Sequence, residues 1–148
     1  MKFFTLQELT NSATAKRYGI DNTPSQEVIK NLEALVDNIL DPLREKWGAP
    51  IIVTSAYRCP ELNKKIGGSS TSQHVSGMAA DIRTVSDLPS DNYKLLHTLL
   101  DMNLPVDQVI SEYPDAQGRP DWIHVSFSPR MRKQLLTCRG GKYTVGIK

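Results

Sequence analysis

The chain has 148 residues, enough for one domain (1–148) with a substantial core, and its 39% hydrophobic and 23% charged residues exclude a disordered or membrane-embedded protein. No apolar run approaches the ~20 residues of a membrane span, and the opening Met1-Lys2-Phe3-Phe4-Thr5 lacks the apolar stretch of a signal peptide. Net charge is +2 but uneven: residues 129–148 hold Arg130, Arg132, Lys133, Arg139, Lys142 and Lys148 and no acid, which suits an anionic surface or a solvated end. No nucleic-acid-binding motif accompanies the basic tail, so no nucleic acid partner is expected.

In chain order, Thr5 with Glu8 fits a capping box, and Asn11 to Tyr18 reads as a short helix stopped by Gly19. Between Ser25 and Trp47 the apolar residues Val28, Ile29, Leu32, Leu35, Val36, Ile39, Leu40 and Leu43 recur at steps of three and four, which predicts one long helix. Gly48 and Pro50 end it, and Pro42 is placed to kink it. Ile51 to Tyr57 is a β-branched strand followed by Arg58. A short helix over 60–66 leads into the loop Gly67-Gly68-Ser69-Ser70-Thr71-Ser72. Strands are expected over 78–83, 106–113 and 122–128, with an amphipathic helix over 90–102 and a final strand or hairpin around Gly140-Gly141. The order predicts an α+β fold, a mainly antiparallel central sheet flanked by helices. Cys59 and Cys138 read as free thiols, since two cysteines make no disulfide framework and lack zinc-ribbon spacing.

The chemistry concentrates in two stretches, Ser72-Gln73-His74-Val75-Ser76-Gly77-Met78-Ala79-Ala80-Asp81 and Asp121-Trp122-Ile123-His124. His74, Asp81 and His124 offer two imidazoles and a carboxylate, which leaves a position for water on a tetrahedral zinc. Gly77 would let the backbone turn between the first two ligands, and Ala79 and Ala80 would leave room beside the metal. Hydrolysis also needs a carboxylate to move a proton. Asp121, three residues before His124, is the first candidate. An odd offset in a strand puts two residues on opposite faces, so Asp121 requires a bend before Trp122. Glu112, at the end of the preceding strand, competes for the role. Trp122 and Tyr57 read as core residues, and His97 as an ordinary helix histidine.

These motifs, with Ser55-Ala56-Tyr57-Arg58 and Trp122-Ile123-His124-Val125, resemble the zinc D-Ala-D-Ala carboxypeptidase-type murein peptidases. The similarity is greatest to the small single-domain phage and bacterial branch, related to D,D-dipeptidases and L-Ala-D-Glu endolysins. It reaches the lead-in Phe4-Thr5-Leu6 and Asp41-Pro42-Leu43-Arg44. The resemblance implies a hedgehog/D-Ala-D-Ala peptidase-like fold and one Zn2+ per chain on His74, Asp81 and His124. It implies Arg58 as a substrate-binding and oxyanion-stabilising residue, and Ser72 as a substrate contact. In the family a glutamate usually holds the position of Asp121. The implied partner is peptidoglycan or its stem peptides, cut by a monomer that is cytoplasmic as made and reaches the wall by phage-type release. Two other readings stand beside it: a non-catalytic zinc-containing wall-binding module, and a metallopeptidase acting on a non-wall peptide. Arg58 could instead be a buried ion-pair partner of Asp81 or Glu112.

Overall fold

The computed structural model describes residues 1–148. Polar caps set the first turns. Thr5 Oγ1 accepts from the Glu8 N–H at 3.2 Å and Glu8 Oε1 accepts from the Thr5 N–H at 3.0 Å, closing the expected box on α1 (Leu6–Thr10). Ser12 caps α2 (Ala13–Tyr18), and Gly19 ends it in the left-handed conformation that costs glycine little.

The long apolar face folds as helix in three parts: α3 (Gln26–Leu35), a π-turn (Val36–Leu40) and α4 (Asp41–Trp47). In the π-turn the Asp41 N–H reaches back five residues to the Val36 carbonyl. Pro42 follows; it has no N–H, and in a regular helix its ring crowds the carbonyl four residues earlier. The chain thus answers the proline with a wide turn. Leu32, Leu35, Val36, Ile39, Leu40 and Leu43 are fully buried along this helix.

Six strands form one sheet: β1 (Ile51–Ser55), β2 (Ala79–Thr84), β3 (Gln108–Glu112), β4 (Trp122–Ser126), β5 (Gln134–Arg139) and β6 (Lys142–Val145). Their order is β1-β2-β4-β3-β5-β6. Every neighbouring pair is antiparallel except β3–β5, which is parallel. The expected α+β arrangement is therefore present, with α5 (Pro60–Lys65) and α6 (Pro89–Asp101) completing it.

The period of two along each strand divides the sheet into two chemically different faces. Ala80, Ile82, Ile123, Val125 and Val109 point one way, into a core shared with Leu32, Leu35, Leu95, Leu96 and Leu99. Each of those leucines contributes about 2–3 kcal/mol by leaving water. The other face carries Asp81 opposite His124, His124 opposite Ile110, and Ile110 opposite Leu136. One step along, Trp122 faces Glu112 and Glu112 faces Cys138. Ala80 therefore sits in the helix-side core rather than beside the expected metal; Ala79, of the same parity as Asp81, is on the ligand face. No helix is long and apolar enough to cross a membrane.

Candidate metal centre and its cleft

His74 comes from the loop between α5 and β2, and three contacts fix it. Its backbone carbonyl accepts from the Arg58 N–H at 3.1 Å, its own N–H donates to Ser72 Oγ at 3.2 Å, and its ring Nδ1 donates to the Ala56 carbonyl at 2.7 Å. A carbonyl only accepts, so that last bond places a ring proton on Nδ1, and in the neutral ring it leaves the Nε2 lone pair free. Gly77 makes the loop's path possible. It adopts φ +74°, and a Cβ there would lie 2.9 Å from Val28 Cγ1 and 3.0 Å from the Val28 carbonyl oxygen. Glycine thus serves both the turn and a close approach to α3, where Asn31 Nδ2 donates to the Ser76 carbonyl at 2.9 Å.

Asp81 and His124 meet because β2 and β4 pair with these two residues in register. Asp81 Oδ1 lies 3.3 Å from His74 Nε2 and 3.1 Å from His124 Nδ1. The imidazole rings stand edge to face with centroids 5.1 Å apart. One ligand atom from each of the three residues falls within 4.8 Å of the others, so the group could hold a metal ion. The donor set fits: a free imidazole lone pair, a carboxylate oxygen and a second imidazole nitrogen face one point, where a cation relieves their mutual repulsion. Burial by itself raises the Asp81 carboxyl, but when His74 and His124 are protonated their charge and hydrogen bonds outweigh it and hold the group below the usual carboxylate range.

The three residues line a cleft of about 640 Å³ whose walls are mostly polar. Arg58, Ser72 and Glu112 also line it; Asp121 does not. Asp121 is exposed, and its main chain is tied to Glu112 and to Asn92 of α6. Glu112 is buried, two residues along β3 from the position opposite His124, roughly 7 Å of strand. Burial pushes its carboxyl upward and the Asp81 charge adds to that, against a downward pull from His124. β3 ends immediately after it at Tyr113, which takes φ +47° and lays its ring against Trp122 at 5.3 Å between centroids. Trp122, expected in the core, is half-buried on the cleft wall, because it shares the parity of His124.

Arg58 forms no ion pair with Asp81 or Glu112. Its Nη2 donates to Ser72 Oγ at 3.3 Å, and its Nε is buried without a partner. Burial draws its pKa below the ordinary arginine value, with the Asp81 charge opposing. Asn22 holds the backbone on both sides of it: Nδ2 donates to the Tyr57 carbonyl at 3.1 Å and Oδ1 accepts from the Cys59 N–H at 2.7 Å. Nothing in the sequence pattern marked Asn22, which lies 36 positions before Arg58 in a turn. His97 packs against the Tyr93 ring on α6, away from the cleft. Cys59 and Cys138 are buried free thiols.

A half-enclosed polar cleft with a His-Asp-His group at its floor, and a carboxylate and a guanidinium in its walls, is the anatomy of a hydrolytic metal site. The Peptidase M15 family profile matches residues 2–126, and the chain belongs to that family. Membership makes it a hydrolase of the metallopeptidase class. No curated protein matches the chain.

Proposed function

We propose that this protein is a zinc peptidase that cuts a stem-peptide bond of bacterial peptidoglycan, as a carboxypeptidase or an endopeptidase. The observation that carries the reading is one cleft holding His74, Asp81 and His124 together with Glu112 and Arg58. Zinc on the three ligands, one per chain, would supply a Lewis acid and lower the pKa of a bound water.

The chain's own residues account for the rest. The Ala56 carbonyl and Ser72 hold His74 in one orientation, so the ligand set is preorganised. Glu112 is the general base: it takes a proton from the attacking water and returns it to the leaving amine. The upward push of burial on its carboxyl makes it a better proton acceptor than a solvated glutamate. Asp121 would have to leave its exposed position to compete. Arg58 lines the cleft with a guanidinium that no acid pairs, where it binds a substrate oxygen and holds the negative charge that develops on attack. Ser72 fixes the Arg58 guanidinium and contacts the substrate.

The test is metal analysis of the purified protein, with release of new amino groups from peptidoglycan measured before chelation, after it, and after zinc is returned. The expected result is about one zinc per chain and activity that follows the metal. Metal-loaded protein that binds the wall and releases no amino groups would overturn the peptidase reading in favour of a wall-binding module.

A further inference from the structure

We infer that Cys138 and Tyr143 are positioning residues of the cleft: a row of side chains running from Tyr143 through Cys138 holds the Glu112 carboxylate in place, which deepens the peptidase reading and rests on Glu112 being its base.

Both residues lie beyond the family match, on the β5–β6 hairpin that β3 takes up as its parallel neighbour. The register aligns three strands at one level: Glu112 stands opposite Cys138, and Cys138 opposite Tyr143. Paired residues point to the same face of a sheet, on strands about 4.8 Å apart. That face carries His124 and Trp122, and Glu112 and Tyr143 both line the cleft. The level is pinned on both sides of Glu112. The Tyr113 N–H donates to the Cys138 carbonyl at 2.8 Å, and the Asp121 N–H to the Glu112 carbonyl at 2.9 Å.

Cys138 is almost fully buried and packs with Ile110 and Leu136, so its thiol is shut off from water. A thiol is a weak S–H donor, and its sulfur a weak acceptor. Burial, and then the negative charge of Glu112, push the Cys138 thiol up, so it keeps its proton at neutral pH. Burial pushes the Glu112 carboxyl upward as well, and the Cys138 thiol, the one hydrogen-bond donor that acts on it, draws it back. On its other side the sulfur accepts from the Tyr143 hydroxyl, a phenol that partial burial pushes up and keeps protonated. The neighbouring Ile110 and Leu136 side chains offer a carboxylate no donor. The direction of Glu112 in the cleft is thus set by the hairpin.

The experiment is a double-mutant cycle on the metal-loaded protein, read by release of amino groups. Cys138→Ala should lower kcat by about tenfold with KM near the wild-type value, the low end for a hydrogen bond to a charged group. Cys138→Ser returns a donor and should recover most of the loss. In a Glu112→Gln background, Cys138→Ala should change the residual kcat by less than about twofold, because the carboxylate it acts through is gone. Tyr143→Phe should cost about threefold alone and nothing further beside Cys138→Ala. An equal loss from Cys138→Ala in both backgrounds would mark a merely structural residue and overturn the assignment, as would full kcat in Cys138→Ala. The infrared S–H stretching band, assigned by its disappearance in Cys138→Ser, reads the contact without catalysis. It should move to higher wavenumber in Glu112→Gln, since an amide accepts more weakly than a carboxylate; an unmoved band overturns the assignment. If the wild type cleaves nothing, the peptidase reading fails, and the band still decides for or against the row.

Discussion

Replacing Glu112 with glutamine separates the two carboxylates that flank the ligand set. The exchange preserves size and hydrogen-bonding capacity and removes the ability to accept a proton. Glu112 lines the cleft on the face of the ligand group, two residues and roughly 7 Å of strand from the level of His124. A positioned general base contributes roughly 10²–10⁴-fold, or about 3–5 kcal/mol of the barrier. Glu112→Gln should therefore lower kcat by about 10³, with metal content and far-ultraviolet circular dichroism unchanged and KM close to the wild type. Asp121→Asn, in the same assay of amino-group release, should stay within about threefold, because an exposed side chain outside the cleft has no proton to move. The reasoning fails if Glu112→Gln keeps more than a tenth of kcat while Asp121→Asn loses activity a hundredfold.

Three further outcomes follow from the geometry. His74→Ala should abolish stoichiometric metal binding and activity together, since it removes the one ligand whose tautomer is fixed by the Ala56 carbonyl; retained metal by elemental analysis would contradict the ligand set. Asp107→Asn leaves Arg132 and Gln73 without their shared anion and should cost about 3 kcal/mol, the low end for a broken buried pair because Arg132 is 31% exposed. Arg132's hydrogen bonds hold the folded Asp107 carboxyl below its unfolded value of about 3.9, so the stabilisation is present above that pH and is lost as pH falls below it. Urea unfolding below about pH 4 should thus fall more steeply for the wild type than for Asp107→Asn, and parallel profiles would argue against the linkage. Gly77→Ala must fit a Cβ 2.9 Å from Val28 Cγ1 at a positive φ; a loss of about 2–4 kcal/mol in urea unfolding is expected, and a neutral result would mean the loop is not pressed against α3.

Much of this site is legible in the sequence, because its parts follow short-range rules. The spacing from His74 through Gly77 to Asp81 singled out two of the three residues that the fold gathers, and the capping box at Thr5 and the apolar period from Val28 to Leu43 placed α1 and the long helix. Strand parity alone put Asp121 and His124 at an odd offset, and the same rule, applied to Trp122 and Ala80, would have set the first on the cleft and the second in the core. What could not be read was register. That Glu112 faces Trp122, one level from His124, depends on how the 113–121 turn closes β3 onto β4. The parallel pairing of β5 with β3, and the loop that brings Arg130 to the cleft, depend on long-range contacts such as Asp107 with Arg132. The π-turn was hidden because a single wide turn barely disturbs a pattern of threes and fours.

That wide turn also sets how this helix tolerates insertion and deletion. Removing one residue between Val36 and Leu40 would take out the extra residue that the wide turn holds, so a regular helix closes up with the distal residues facing as before. Leu43 would keep its buried face, and Asp41 its hold on the Lys2 and Phe3 N–H groups at 2.6 and 3.0 Å, while Pro42 would stand in a regular helix against the carbonyl four residues earlier. A one-codon deletion in the segment thus acts at the proline, whereas an insertion or deletion in the regular helix on either side would rotate the distal half by about 100°.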